Sequence, residues 1–324
     1  MMFRPVLIAW IIPFAYSAFG SPAASRSVDL APKLEVGAEF HYVSRSLINH
    51  EMQVDAADVA DKIVVRTESG MVLTVTDVGS NGSVGIAWQL RYVAISADGP
   101  IPGIGEMLDY DSRDPGQGSS PLAPMFSRLV GSPVTVRVDA QARVIDFKGL
   151  NTAGLVGPLG ALARGFFSRE AFEQLPLFVT RGAPSPARLR SKWSGKTTMD
   201  MPLGVGSLVM QQDFVVKRIS ARNRKATIEV KGTVTKGAAK GSSGLGLVPS
   251  SLVGTLVVDN GTITGEYIWD FAAGRLFSAE TQLKLETTLD TPLGRMGLKQ
   301  DMSCSVKWSA PRTPRPTGKP RRRP

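Results

Sequence analysis

The stretch VTVRVD, residues 134–139, decides the reading of the whole chain. Val134, Val136 and Val138 fall on one side of an extended backbone and Thr135, Arg137 and Asp139 on the other, because successive side chains of a strand point to opposite faces. One oily and one wet face is the mark of an antiparallel sheet solvated on one side. The same alternation runs outward in both directions. In ATIEVK (226–231) Ala226, Ile228 and Val230 oppose Thr227, Glu229 and Lys231, and QLKLE (282–286) repeats it. In DMSCSVKW (301–308) Met302, Cys304, Val306 and Trp308 alternate with Asp301, Ser303, Ser305 and Lys307. Two Asn-Gly pairs, Asn81–Gly82 and Asn260–Gly261, offer the positive φ that tight hairpins demand, so both are expected to turn the chain.

Helix is expected in two places. PLAPMFSRLV (121–130) follows a turn-rich loop, and a longer apolar segment covers 150–178, broken at Gly157–Pro158. Leu155, Leu159, Leu162, Phe166, Phe167 and Phe172 of that segment must cover something, either the end of the sheet core or, as a lid, an apolar cavity. A proline- and arginine-bearing linker (180–192) then separates two halves of similar plan, 34–179 and 193–309. Each half contains a strand, an aspartate, a short turn, an arginine and a second strand: Asp139 with Arg143, and Asp270 with Arg275. The expected fold class is therefore mainly β (α+β), with two duplicated antiparallel units forming a half-barrel or sandwich and a few helices between them.

Residues 1–20 carry a single charge at Arg4, an apolar run VLIAWIIPFAY (6–16) and small residues before Gly20. That order predicts a cleavable secretory leader cut after Gly20, or after Ala24. Residues 21–33 are expected to be a disordered lead-in. No later stretch has about 18 uncharged apolar residues, so the chain is not expected to be an integral membrane protein. The single cysteine, Cys304, cannot form an internal disulfide, and burial on the apolar face of its strand lets it persist in an oxidising compartment.

The net charge of +10 is concentrated in the tail 310–324, where Arg312, Arg315, Lys319, Arg321, Arg322 and Arg323 stand among repeated prolines. Without these six and Arg4 the remainder carries only +3. The tail reads as a disordered basic appendage suited to an anionic envelope polymer or lipid headgroups. Nucleic acid is not expected as a partner of an exported chain.

The pieces LEVGAEFHY, MLDYDSRDP, LAPMFSRLVGSPVTVRVDAQARVIDFKGL and REAFEQLPLF, followed by SKW opening a second β half, resemble an uncharacterised family of exported bacterial proteins. That family is known only as domain of unknown function six-two-six-three. The resemblance covers residues 34–308 and is most specific at 131–139. It implies export and the two-part β architecture, and it supplies no chemistry.

A search for catalytic or metal-binding patterns is nearly empty. The two histidines, His41 and His50, lie in EFHYV and INHEM. Either could act as the base of a hydrolase, but no Gly-x-Ser-x-Gly elbow exists, and no His-x-x-x-His or Cys-x-x-Cys pair is present to hold zinc. Asp109, Asp111 and Asp114, in DYDSRDPGQG, are a weak calcium candidate whose alternative is plain turn chemistry. No cofactor is expected. The leading expectation is a non-enzymatic periplasmic or secreted protein that holds an apolar small molecule or lipid, with Leu155, Leu159, Leu162, Phe166 and Phe167 as ligand contacts. The arrangement resembles bacterial lipoprotein-carrier folds in architecture only. The alternatives are an envelope interaction module attached through its basic tail, and a hydrolase using His41 or His50.

Overall fold

The computed structural model describes residues 27–54, 59–101, 105–120, 122–149, 172–200, 207–237, 255–291 and 294–311. Six strands lie in the first half of the chain: β1 (Glu39–Val54), β2 (Val59–Val78), β3 (Val84–Ile101), β4 (Gly105–Asp111), β5 (Pro133–Val138) and β6 (Val144–Lys148). Six more lie in the second: β7 (Lys192–Asp200), β8 (Ser207–Ser220), β9 (Lys225–Lys236), β10 (Thr255–Asp270), β11 (Arg275–Thr291) and β12 (Gly294–Trp308). Among the described residues a short helix, α1 (Ala123–Leu129), interrupts the first half where the sequence predicts it, and 3-10 turns occupy Pro115–Ser119 and Pro176–Phe178.

The strands form a single antiparallel sheet in the order β6-β5-β3-β2-β1-β12-β11-β10-β9-β8-β7, with β4 paired to β3. The two halves join through the first and last strands, β1 and β12, in register from Tyr42 opposite Trp308 to Val54 opposite Met296. The alternation read from the sequence is the burial pattern of the sheet. In β5 Val134, Val136 and Val138 are buried, as are Ala226, Ile228 and Val230 in β9.

At one end of the strands this apolar face closes on a shared interior. A single cluster of buried side chains includes Phe40 and Tyr42 of β1, Leu73 of β2, Ile86 and Trp88 of β3, Val144 of β6, Trp193 of β7, Val216 of β8 and Trp269 of β10. Residues from both outer strands thus meet in one core, which requires the sheet to wrap around it. The chain crossing from β6 to β7 fills the space with Phe172, Leu175, Leu177, Phe178 and Ala187. Phe172 stands edge-on to Trp88, with ring centroids 5.7 Å apart, and 5.0 Å from Phe147.

Three expectations are corrected here. Residues 27–33 are not a disordered lead-in: Val28 pairs with Ala187, Leu30 is 1% exposed in the core, and the Thr180 hydroxyl donates to the Leu30 carbonyl at 2.8 Å. One leucine in a shared core, plus backbone pairing, is enough to fix this segment. The 180–192 connection is likewise no free linker, because Ala187 is fully buried. The third concerns the second Asn-Gly pair. Asn81–Gly82 does turn the chain between β2 and β3, with Gly82 at φ 77° and the Ser83 amide bonded to the Asn81 side chain at 3.0 Å. Asn260–Gly261 instead lies inside β10, at a register shift between Val258 and Asn260. A Cβ on Gly261 would meet the Val234 Cβ at 2.6 Å and its carbonyl at 2.7 Å. The glycine is there for close approach of the neighbouring strand at a bulge, the other use of glycine in a sheet.

Candidate ligand-binding faces of the sheet

Beyond the packed end, the two faces differ in chemistry. Reading the register across the sheet, Ser44, Ser46, Ile48, His50 and Met52 of β1 share one face with Val306, Cys304, Met302, Gln300 and Leu298 of β12 and with Ser69, Thr67, Val65, Ile63 and Asp61 of β2. Across β11 the face continues through Thr281 and Leu283, and across β10 through Gly265 and Ile263. Small side chains (Ser44, Ser46, Thr67, Cys304, Thr281, Gly265) thus form a band between the bulky core and a second apolar reach. Part of that reach is a small cluster of its own, Leu208, Val234, Ile263 and Leu285. Ile48, Met52, Ile63, Leu298 and Met302 belong to neither cluster and are half-buried.

At the junction of the packed end with this band lies a group of polar atoms without partners. The Trp269 and Trp308 indole N–H groups and the Arg275 Nε are buried without a hydrogen-bond partner, and beside them the buried Tyr42 hydroxyl accepts from the Leu276 backbone amide. The Arg275 guanidinium lies over the Trp308 ring, 3.7 Å from its centroid. Trp308 faces Tyr42 across the β1–β12 pair, and Trp269 faces Leu276, the residue after Arg275. Burial pushes the Tyr42 pKa up, while the positive charge of Arg275 acts on it in the opposite sense. Asp270, opposite Arg275 in the hairpin, does not pair with it; its Oδ1 accepts from the amides of Ala272 and Ala273. The same turn chemistry caps the β5–β6 hairpin, where Asp139 Oδ1 accepts from the amides of Gln141 and Arg143. There, however, the arginine folds back, Arg143 Nη2 lying 2.7 Å from Asp139 Oδ2.

The opposite face carries charge. A trough of about 1080 Å³ runs across the strands from β3 and β4 to β10, lined among others by the charged residues Arg45, Glu68, Asp109, Asp111, Glu266 and Glu280 and also by Ser46, Thr67, Gly265, Thr281 and Cys304 of the small-residue band. Glu68 is its hub: Arg45 Nε donates to Oε2 at 2.8 Å, and Tyr92 donates its hydroxyl to Oε1 at 3.1 Å. The Tyr92 ring lies where a Cβ on Gly70 would stand, which explains that glycine. Arg113 stacks on Tyr92 at 4.3 Å and grips Asp111, with Nε 2.9 Å from Oδ1 and Nη2 2.7 Å from Oδ2. These bonds hold the Glu68 and Asp111 carboxyls below their ordinary pKa, chiefly through Arg45 and Arg113 respectively.

The proposed calcium triad is therefore not assembled. Asp111 is neutralised by Arg113, Asp114 Oδ1 caps the following 3-10 turn through the Gly116 amide, and Asp109 is exposed on β4. Among the described residues no three His, Cys, Asp or Glu side chains converge as metal ligands. His41 bonds Glu39 at 3.1 Å, and His50 bonds the Gln300 amide at 3.1 Å, its pKa lowered by burial. Neither histidine is bonded to a hydroxyl or thiol. The Cys304 thiol, raised in pKa by burial, lies 3.9 Å from the Ser44 hydroxyl on the apolar face. Leu155, Leu159, Leu162, Phe166 and Phe167 lie outside the described residues, as do Arg312, Arg315, Lys319, Arg321, Arg322 and Arg323. The sequence reading missed Arg275, Tyr42, Trp269 and Trp308 as a group. The signal available was the Asp-turn-Arg pattern, which locates Arg275 but not its lack of an acidic partner.

No family model and no curated protein matches the chain. Solved structures similar in outline include lipovitellin, in a structure described by its lipid–protein interactions. It is 11% identical, with 89% of this chain aligned to 27% of that one and a TM-score of 0.48. DynF, from the dynemicin biosynthesis pathway of Micromonospora chersina, is 8% identical over 96% of this chain and 95% of its own, with a TM-score of 0.23. An outer-membrane channel from Pseudomonas putida F1 is 10% identical over 86% and 97%, with a TM-score of 0.25. The chain thus spans about a quarter of lipovitellin, and none of these likenesses bears on ligand or activity. No helix among the described residues is long and apolar enough to cross a membrane.

Proposed function

We propose that the chain is an exported, non-catalytic binding protein that takes an apolar, lipid-like ligand on the apolar sheet face beyond the packed core. The observation that carries this reading is the register itself. It lines up Ile48, Met52, Ile63, Leu298 and Met302 on one face, outside both buried clusters and half-exposed. Aliphatic and thioether side chains left partly uncovered at five positions of one face, on either side of the His50–Gln300 pair, gain free energy from an apolar guest, at about 25 cal/mol for each Å² removed from water. Methionines suit such a surface, because their unbranched, polarisable chains adapt to different shapes.

The test is titration of the full chain with N-phenyl-1-naphthylamine, a neutral fluorophore that brightens in apolar surroundings. Saturable binding is expected. Met302→Glu should weaken it by at least about tenfold, because a carboxylate would have to be desolvated under the guest. The melting temperature should stay within a few degrees, since Met302 lies outside the core. Absence of saturable binding, or a Met302→Glu chain that binds as tightly as the parent, would remove the proposal.

A further inference from the structure

We infer that Arg275, Tyr42 and Trp308, with Trp269 beside them, form a receiving site for the anionic head of an acyl ligand, a fatty carboxylate whose chain runs along the β1–β12 seam. This rests on the apolar-ligand reading and names its substrate class.

The argument begins from polar groups that fold into the interior unmatched. A buried donor without an acceptor costs about 1–3 kcal/mol, so native structures leave few of them, and a group of them marks a place where something else supplies the acceptor. Here the three orphans are all donors, since an indole N–H is a donor only and a guanidinium has five N–H groups and no acceptor, and the Tyr42 hydroxyl, which accepts from Leu276, can still turn its own proton toward an anion. Tyr42 is 1% exposed and Trp269 fully buried, whereas Arg275 and Trp308 are only half-buried and give access from outside. No carboxylate among the described residues pairs with Arg275, and Asp270, the nearest in register, is occupied by its own turn.

The charge count selects the ligand. One guanidinium with neutral donors around it balances one negative charge, which fits a carboxylate better than a phosphate dianion. Arg275 is held over the Trp308 ring, 3.7 Å from its centroid, so its guanidinium is already placed and less side-chain freedom is lost on binding. The apolar face then provides a path for the chain. From the Tyr42–Trp308 pair the seam passes Ser44 and Val306, then Ser46 and Cys304, small side chains that leave room, and ends on Ile48 and Met302. That pair at the far end supplies the apolar contact that the proposed function requires.

Two probes separate the head from the tail. Cis-parinaric acid and its methyl ester share a fluorescent polyene chain and differ in the charge of the head. The full chain should bind the acid at least about tenfold more tightly than the ester. Arg275→Gln should abolish that preference while leaving ester binding in place. Tyr42→Phe and Trp308→Phe, which keep most of the packing volume, should each reduce the acid-to-ester ratio about threefold or more. If the parent chain binds acid and ester equally, the head site is wrong and the apolar-ligand reading survives. If it binds neither, both fall. Should Arg275→Gln fail to fold, as read by circular dichroism, the two phenylalanine variants decide: unchanged ratios in both overturn the site.

Discussion

The packed end of the apolar face and its far reach are built on the same strands and the same alternation, yet they do different things. At the packed end Leu73, Ile86, Leu177 and Trp269 are essentially sealed, because the crossing segment 172–187 and Leu30 are laid over them. Farther along β1 and β12, Ile48 and Met302 continue the same face with no membership in that core. Periodicity makes a face apolar. It takes an additional piece of chain to turn that face into a core, and the difference between the two reaches lies in what covers them.

Mutations can break or sharpen this contrast. The largest effect is expected from Leu177→Ala, which deletes a fully buried side chain and should cost about 2–5 kcal/mol in urea denaturation. Ile48→Ala, the same chemistry on the uncovered reach, should cost about 1 kcal/mol or less. Equal costs would mean that the two reaches are equally packed. Gly261→Ala comes next: its Cβ would land 2.6 Å from the Val234 Cβ, and forcing the β9–β10 pair apart should cost about 1–3 kcal/mol by the same assay.

A smaller effect should appear with pH. Burial depresses the His50 pKa below its ordinary 6.5, so the folded chain prefers the neutral ring. The stability associated with it is fully present above pH 6.5 and lost as pH falls from there through the folded-state pKa. His50→Gln should flatten that part of the stability profile, and an unchanged slope would contradict the burial of the ring. The smallest shift is expected from Arg45→Gln on the charged face. Arg45 is exposed, and its pair with Glu68 is screened by solvent. A melting temperature that moves as far as that of Leu177→Ala would reverse the contrast between the faces.

The strands were legible because a period of two survives in sequence wherever one face is wet, as at Val134, Val136 and Val138 or Met302, Cys304 and Val306. Turn chemistry was legible at Asn81–Gly82 and misleading at Asn260–Gly261, because glycine serves a tight turn and a crowded bulge equally well. The ordering of residues 27–33 was hidden, since it depends on Leu30 reaching a core assembled from both halves. The orphan donors and Tyr42 beside them were hidden for the same reason. Tyr42, Trp269, Arg275 and Trp308 are far apart in the chain, and nothing local shows that Asp270 will be spent on its own turn while Asp139 keeps its arginine.

The central claim, that a ligand occupies the apolar seam between β1 and β12, is tested most directly at Cys304. It is the one cysteine of the chain, half-buried on that face between Val306 and Met302. Its alkylation by N-ethylmaleimide at mildly alkaline pH gives a rate that can be followed by mass. With saturating cis-parinaric acid bound, the account predicts that this rate falls severalfold, because the chain covers the thiol. A rate unchanged by bound ligand would place the ligand elsewhere and contradict the account.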